Sequence, residues 1–414
     1  SALYQTNFKD SLLISFDGGG DDGFFNIFKV SNKQIKHLQR IKVDFGGAYL
    51  IFSSLIREVT EKSKNQLALS GKLMGLCAYG QVKYELLEYF ANYISDKNFK
   101  NFSNGLNIGN IVNSNPWKNP LNNWIFEGKK AFDIAATAQR AFENKFLSII
   151  RKYDNGLPLI LTGGCALNVL LNERIKKEVS NKIFIPPNPH DGGLSLGHLF
   201  IYKKPEKKVD ITYSGLPLLD KEKLPFYIKK YNAVKISKSE IAKRLIAGNI
   251  LGLVYGDSEV GPRALGNRSI ICNPNIKSMK DTLNSKIKFR EWFRPFAPFC
   301  KKEEAHKFFD SPSYENLEYM SFAPEVRKKY RDKLPSITHF DNSARLQTVT
   351  KRSHIHFYQI LEEFGKLCDV NVLLNTSFNI KGKPILSTIE EAIYILNNTQ
   401  IDGVIIEDYL FERE

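Results

Sequence analysis

The sequence predicts an α/β protein of two domains, and three observations lead to this prediction. The chain has 414 residues, more than one typical domain needs. Short apolar runs typical of buried strands alternate with stretches whose apolar residues recur at helical spacing. A polar, lysine-rich stretch at 203–210 separates two such patterns. We therefore place a first domain at 1–205, a linker at 206–216 and a second domain at 217–414.

The composition narrows the class of protein. Hydrophobic residues make up 43% of the chain, and no apolar run predicts a transmembrane helix or a signal peptide. The five cysteines are scattered without paired spacing, which favours a reducing cytoplasm. The formal net charge is +15, but the lysines are spread along the chain. We therefore prefer an anion-binding site to a nucleic-acid-binding surface, which stays the alternative.

The first domain begins with two strands around a glycine-rich turn. An apolar run at 11–17 ends in Asp17, Gly18 and Gly19 come next, and a second apolar run covers 24–30. Glycines let backbone amides face phosphate oxygens, and a carboxylate at a strand end can hold a metal ion. This is the phosphate-loop pattern of actin-like ATPase folds. An ordinary glycine-rich hairpin is the alternative.

A helix and a second glycine turn belong to the same domain. Apolar spacing predicts a long core helix at 131–150. Residues 157–175 then form a strand, a turn at Gly163 and Gly164, and another helix. Such a turn lies against a nucleotide or its phosphates, and Asn168 in the first helical turn would face the same place.

The segment at 182–200 has the same order of strand, glycine turn and helix. Two prolines follow its strand, and the helix begins at the glycine turn with Asp191. Two acids from separate segments, Asp17 and Asp191, could hold one metal ion between them. A single aspartate at a helix start is more often a cap. His190 and His198 are further candidate ligands, although a lone histidine is usually structural.

The second domain has its own α/β pattern. Ser239 is the predicted N-cap of its first helix, and Ser387 and Thr388 cap its last one. The pattern predicts strands at 233–237, 249–256, 370–375 and 401–408, and helices at 239–248, 354–369 and 389–398.

The stretch at 261–298 is the most informative one in the chain. It places Arg263, Arg268, Arg290 and Arg294 among Gly, Pro, Asn and Phe. Arginine presents a planar fork that grips phosphate or carboxylate with two hydrogen bonds. Prolines restrict the backbone, glycines allow close approach, and aromatic rings lower the local dielectric. The stretch predicts a pocket for a polyanionic small molecule, and a solvated basic loop is the alternative.

Four motifs resemble the O-carbamoyltransferase family, which includes the nodulation-factor, cephalosporin and aminoglycoside carbamoyltransferases. They are GPRALGNRS from 261, REWFRPFAP from 290, ARLQTV at 344–349 and LLNTSFNIKGKPI at 373–385. The resemblance covers nearly the whole chain. It implies an actin-like domain similar to the threonylcarbamoyl-transferase proteins, followed by a carbamoyl-adenylate-forming, YrdC-like domain.

The resemblance also implies a reaction and its participants. The second domain would join carbamoyl phosphate and ATP, with Mg²⁺, into carbamoyl-adenylate. The first would move the carbamoyl group to a hydroxyl of a small molecule or sugar, using a divalent metal expected to be Fe²⁺. Arg345 would assist the four arginines, and the loop after the strand at 370–375 would anchor the reactants through Asn375, Thr376, Ser377 and Asn379. We expect a cytoplasmic enzyme without nucleic-acid or membrane partners, and a homodimer is an open alternative.

Two departures from the family pattern stand out. The family carries an H-x-x-x-H metal motif just before the strand that ends in Asp17, and the first residues of this chain, from Ser1, resemble those directly after that motif. We therefore expect an N-terminal segment to be missing and metal binding to be weak. Asp257, just before the GPRALG motif, is commonly basic in the family. An acid there is expected to weaken anion binding.

Two enzyme classes compete with this interpretation. A tRNA threonylcarbamoyl-modifying enzyme would start from bicarbonate and threonine. A sugar kinase of the actin-like fold would release ADP rather than AMP.

Overall fold

The computed structural model consists of two compact units, Ser1–Val209 and Asp210–Glu414. We call them the N-terminal unit and the C-terminal unit. The structure describes residues 1–18, 25–61, 63, 65–94, 126–180, 182–311 and 316–413. Gly19, a predicted phosphate-loop residue, lies outside them. In these described ranges, no helix combines the length and the apolar character that a membrane span requires.

The N-terminal unit is built on a mixed sheet, which has five strands in the described part of the chain, in the order β3-β2-β1-β4-β5. The strands are β1 Asp10–Phe16, β2 Phe25–Ser31, β3 Gln34–Arg40, β4 Leu159–Thr162 and β5 Ile183–Phe184. β1 pairs antiparallel with β2 and parallel with β4, and β4 pairs parallel with β5. The helices are α1 Phe45–Ser54, α2 Arg57–Thr60, α3 Leu67–Leu76, α4 Tyr84–Tyr93, α5 Gly128–Ile150, α6 Val169–Glu178 and α7 Leu194–Lys203.

An aromatic cluster holds this sheet to its helices. The ring of Phe16 at the end of β1 packs against those of Phe25, Phe45 and Phe146, and Phe142 packs edge-on against Phe45. All five are buried, so each contributes apolar area removed from water. The cluster fixes the strand end that carries Asp17 against α1 and α5.

The C-terminal unit is built on a second mixed sheet, in which eight strands are described, ordered β10-β9-β11-β8-β7-β12-β13-β6. They are β6 Val234–Lys235, β7 Leu251–Val254, β8 Arg268–Cys272, β9 Ala297–Lys301, β10 Gln347–Val349, β11 Val372–Ser377, β12 Gly403–Ile406 and β13 Tyr409–Phe411. The helices are α8 Leu224–Lys230, α9 Lys238–Ile246, α10 Met279–Thr282, α11 Ala305–Phe308, α12 Ile355–Leu367 and α13 Ile389–Asn398. A π-helical turn, Leu283–Ile287, comes directly after α10.

The core of this unit lies between the sheet and the pair α9 and α12. Leu251 and Leu253 of β7 pack with Ile271 of β8 and with Phe357 and Phe364 of α12 in one buried cluster. Every residue of β7 and β8 is buried. The two strands therefore lack the alternation of apolar and polar residues that marks a strand with one exposed face. The two strands place the ends of the intervening loop, 255–267, side by side.

Most predicted elements are confirmed, including the strand at 11–17, the helix at 131–150 and the cap at Thr388, which forms a capping box with Glu391. The predicted N-cap at Ser239 is wrong. Ser237 caps α9 instead, because its backbone is still extended and its hydroxyl accepts the Glu240 N–H at 3.1 Å.

Candidate functional site

The loop between β7 and β8 carries the GPRALG motif and is organised by one buried carboxylate, that of Glu259. Its Oε1 accepts hydrogen bonds from the backbone N–H groups of Leu265 (2.6 Å), Asn267 (2.8 Å) and Arg268 (3.2 Å). Its Oε2, also buried, meets no hydrogen-bond donor among the described residues. The carboxylate thus occupies a nest of amides that would otherwise suit an external anion.

Side chains from β10, from β11 and from the turn at Tyr213 form hydrogen bonds to carbonyl oxygens of the same loop. The Ala264 carbonyl accepts from Gln347 Nε2 at 2.8 Å and from Asn375 Nδ2 at 3.0 Å. The Tyr213 hydroxyl donates to the Leu265 carbonyl at 2.8 Å. Asn375 is 2% exposed, so this geometry gives it a positioning role beneath the loop. Its predicted contact with reactants stays a prediction.

Arg268 is fully buried in the structure, at 0% exposure. Its guanidinium donates to the carbonyl oxygens of Tyr255 (2.8 Å), Asn267 (2.9 Å) and Gly256 (2.9 Å). Burial lowers its pKa, while the nearby Glu259 carboxylate favours the charged form. The geometry favours a positioning role for Arg268 rather than direct contact with an anion.

The other predicted arginines come together in space. Arg263, Arg290, Arg294 and Arg345 are half-buried, and with Lys288 we call them the cation cluster. Burial and then the neighbouring Arg294 lower the pKa of Arg263 to about 10. Burial, Arg294 and Arg345 lower the pKa of Arg290 well below its ordinary value. The like charges of the cluster repel one another, and an anion bound among them would offset this repulsion. The cluster is therefore expected to bind an anion strongly.

The cluster is fixed in place by polar and aromatic contacts. Arg290 Nε donates to Asn284 Oδ1 at 2.7 Å, and its guanidinium lies 4.4 Å from the ring centroid of Phe296. Glu291 lies 3.6 Å from Arg294 and 3.6 Å from Lys381, so its charge is shared. These contacts therefore position the arginines while their like charges stay close together.

Lys288 was not predicted from the sequence, yet it lies close to Arg290 and Arg294. It is 4% exposed, and its Nζ donates to the carbonyl oxygens of Ser377 (2.7 Å) and Asn379 (2.6 Å) and to Asn379 Oδ1. Burial, Arg290 and Arg294 lower its pKa well below the ordinary lysine value. Lys288 thus ties the predicted Asn375–Asn379 anchor loop to the cation cluster.

A cleft of about 520 Å³ opens beside these residues, within the C-terminal unit. Its walls include Glu259, Gly261 and Pro262 from the first loop and Ser377 and Asn379 from the second. Thr376, also a predicted anchor, is half-buried at the end of β11. The cleft therefore adjoins the residues that precede Arg263 and those that Lys288 holds.

The predicted site in the N-terminal unit has a different character. Asp17 Oδ1 accepts the Gly18 N–H at 2.8 Å, and its Oδ2 accepts the Gly164 N–H at 2.6 Å. Gly163 has φ +93°, and a Cβ there would lie 2.1 Å from the Phe16 carbonyl oxygen. The structure thus brings the two predicted glycine turns together at the ends of β1 and β4.

Asn168 and Asp44 complete this region as helix caps. Asn168 is buried, accepts the Leu171 N–H at 3.1 Å and exchanges hydrogen bonds with the Gln139 amide. Asp44 caps α1 through the Gly47 N–H at 2.7 Å. Burial raises the pKa of Asp44 to about 6, the Gly47 amide opposes this, and Asp17 adds to it. The predicted nucleotide contact of Asn168 stays a prediction.

Asp191 is exposed at the start of a 3₁₀ turn, where the His190 ring accepts the Gly192 N–H at 3.1 Å. Among the described residues, no group of three or more His, Cys, Asp or Glu side chains is placed to hold a metal ion. Asp17 and Asp191 alone do not make such a set. The predicted metal site therefore has no complete ligand set in the part of the chain that the structure covers.

Comparison with known proteins gives matches over both units. The family model "Carbamoyltransferase N-terminus" matches residues 1–199, and "Carbamoyltransferase C-terminus" matches residues 242–413. The chain is 29% identical to nodulation protein NolNO of Sinorhizobium fredii, covering 100% of this chain and 62% of that protein. It is 28% identical to nodulation protein NolO of Bradyrhizobium diazoefficiens, covering 100% and 77%. It is 30% identical to nodulation protein U of Sinorhizobium fredii, covering 87% and 67%. The chain thus spans less than two thirds of the NolNO protein.

Proposed function

This chain belongs to the carbamoyltransferase family, and from that premise we propose that it is an ATP-dependent O-carbamoyltransferase acting through carbamoyl-adenylate. The observation that carries the proposal is the cation cluster, which adjoins the cleft of the C-terminal unit through Pro262, next to Arg263, and through Ser377 and Asn379, which Lys288 holds. Carbamoyl phosphate and ATP together bring several negative charges into one place. A cluster whose members repel one another suits such a pair of substrates.

The first step takes place in the C-terminal unit. Water cleaves the P–O bond of carbamoyl phosphate, giving carbamate and inorganic phosphate. A carbamate oxygen then attacks the α-phosphorus of ATP, and the bond to pyrophosphate breaks. The products are carbamoyl-adenylate, pyrophosphate and phosphate.

The residues of the cation cluster have two tasks in that step. Arg263, Arg290, Arg294 and Arg345 bind phosphate oxygens and offset the charge that builds up as pyrophosphate leaves. Lys288 holds the Ser377 and Asn379 carbonyls, which sets the shape of the cleft wall. Arg290 is held by Asn284 and by the Phe296 ring before substrate arrives, so little reorganisation of this side chain accompanies the reaction.

The second step is assigned to the N-terminal unit. An acceptor hydroxyl attacks the carbamoyl carbon of the adenylate, its proton passes to solvent, and AMP leaves. We assign the binding site of the AMP part to the paired glycine turns at Gly18 and at Gly163–Gly164, since the backbone there can approach the ligand closely. A small-molecule or sugar hydroxyl is the proposed acceptor class.

The direct test measures pyrophosphate release from ATP with carbamoyl phosphate and no acceptor. We expect release that depends on both substrates, and accumulation of a carbamoyl-adenylate detectable by mass. Replacing carbamoyl phosphate by bicarbonate and threonine should give none, which separates this function from threonylcarbamoyl chemistry. Formation of ADP instead of pyrophosphate would contradict the proposal and favour a kinase.

The division of labour between the units has its own test. Asp191 is the predicted metal ligand of the N-terminal unit, to which the second step is assigned. Asp191→Ala should therefore leave pyrophosphate release intact and impair only transfer to an acceptor. Arg294→Ala should reduce pyrophosphate release at least roughly a hundredfold, and transfer should fall with it for lack of carbamoyl-adenylate. Loss of pyrophosphate release in Asp191→Ala would show that the first step is not confined to the C-terminal unit.

A further inference from the structure

Two large aromatic side chains are exposed next to the cation cluster. Phe289 is 47% exposed and Trp292 is 52% exposed, and they flank Arg290 in the chain. The neighbouring Phe293 and Phe296 are buried, at 1% and 2%. One short segment thus divides its aromatic residues between the core and the surface, beside a cluster of cations that suits an anion.

The backbone holds Phe289 in an unusual conformation. The π-helical turn Leu283–Ile287 ends just before it, and Phe289 has φ +48°, a region that residues with a bulky side chain rarely occupy. On either side, Lys288 donates to the loop at Ser377, and Arg290 lies over the Phe296 ring. Such local strain commonly marks functional segments.

The segment is fixed at its other end as well. Asn284 Nδ2 donates to the Trp292 carbonyl at 3.3 Å and to the Arg294 carbonyl at 3.1 Å. The Arg294 N–H donates to the Glu291 carbonyl at 3.1 Å. The exposed rings therefore sit on an anchored turn, within three residues of Arg290 or Arg294 along the chain.

We propose that Phe289 and Trp292 form a stacking surface for the base of a nucleotide whose phosphates bind the cation cluster. A nucleotide combines a flat, apolar ring with a polyanion, and this segment presents the complement of both. Base-on-aromatic stacking tolerates any base and needs no hydrogen-bond code. The inference rests on the proposed function and adds the subsite for the base.

The test compares ATP with tripolyphosphate, which has the charges and lacks the base. Wild-type protein should bind ATP more tightly than tripolyphosphate by calorimetry. Trp292→Ala and Phe289→Ala should each weaken ATP binding roughly tenfold and leave tripolyphosphate binding unchanged. Trp292→Phe should retain most of the affinity, because a ring remains. Phe226→Ala, which removes another exposed ring of the same unit, is the matched control and should have no effect.

Fluorescence gives an independent readout. ATP, but not tripolyphosphate, should quench a part of the emission that Trp292→Phe lacks. ATP binding that is equally tight in wild type, Trp292→Ala and Phe289→Ala would overturn the stacking surface and leave the proposed function standing. Absence of binding by both ATP and tripolyphosphate would overturn both. A change of oligomeric state in the two alanine variants, at unchanged ATP affinity, would identify the rings as a protein interface and overturn the stacking surface.

Discussion

The glycine turns of the N-terminal unit and the cation cluster of the C-terminal unit differ in how their polar groups are paired. In the N-terminal unit, the carboxylate of Asp17 accepts the amides of the glycine turns, so donors and acceptors are paired within the protein. In the C-terminal unit, the cation cluster brings like charges together, and burial followed by neighbouring cations lowers the pKa values of Arg263, Lys288 and Arg290. Close backbone packing determines the conformation of the glycine turns. The cation cluster instead concentrates positive charge, which an anionic ligand would offset.

Among the substitutions that test this difference, Arg294→Ala is expected to have the largest effect, a loss of pyrophosphate release. Burial is the main cause of the lowered pKa values of Arg263, Lys288 and Arg290, and Arg294 adds to all three, so it is their shared neighbour. Its loss should reduce pyrophosphate release at least roughly a hundredfold. The melting temperature without ligand should stay the same or rise, because repulsion is relieved. Arg352→Ala, an exposed arginine of the same unit, is the control. A clear fall in melting temperature would mean that the cluster is internally neutralised.

Gly163→Ala should have the next largest effect, and it probes the N-terminal unit. The new Cβ would lie 2.1 Å from the Phe16 carbonyl oxygen at φ +93°, so backbone must move. We expect roughly 2–4 kcal/mol of lost stability by denaturant unfolding. Gly156→Ala is the matched control, with φ +77° and open space around the Cβ, and should cost only about 1 kcal/mol. Equal losses in both variants would contradict the close approach of β1 and the turn.

Asp44 should make the N-terminal unit sensitive to pH. Burial raises its pKa to about 6, above the ordinary value of 3.8. The folded state therefore keeps a proton that the unfolded state releases, and stability is lost as pH rises from about 4 to about 6. The loss should be roughly 3 kcal/mol, since one pKa unit corresponds to about 1.4 kcal/mol, and it should be absent in Asp44→Asn, which can still cap α1. Identical pH profiles for the two proteins in denaturant unfolding would rule this out.

Glu259→Gln should have the smallest effect of the four. The amide oxygen can still accept the Leu265, Asn267 and Arg268 N–H groups, but the bonds lose their charge assistance. We expect about 1 kcal/mol of lost stability in the C-terminal unit by denaturant unfolding. Glu222→Gln, at an exposed position, is the control. No change relative to that control would mean that the carboxylate charge does not organise the loop.

The proximity of the arginines could be predicted because most of them lie in one short stretch of the sequence beside glycine and proline. It missed Lys288, because a lysine next to Phe289 resembles any surface lysine until the fold shows what its ammonium contacts. It also missed Glu259, since an acid beside an anion site suggests repulsion, and only the backbone path shows the amides whose hydrogen bonds it accepts.

Roles were harder to predict than positions. Arg268 belongs to the same motif as Arg263, yet its donors meet backbone carbonyls in the core. No local pattern distinguishes an arginine that binds carbonyls from one that lies among other cations, as Arg263 does beside Arg294. The sequence analysis predicted no strand at β8 or β9, because Arg and Pro interrupt the apolar runs of that stretch. In the structure these short runs pair within the sheet.

The sheet of the C-terminal unit joins the beginning of that unit to its end. Leu251 of β7 pairs with Gly403 of β12, and Val234 of β6 pairs with Leu410 of β13. During translation, β7 leaves the ribosome long before its partner β12 exists. One apolar strand edge must therefore wait unpaired while the intervening chain is made, and closing it requires contacts between residues far apart in sequence. The unit is therefore expected to fold slowly and only after its last strands have been synthesised.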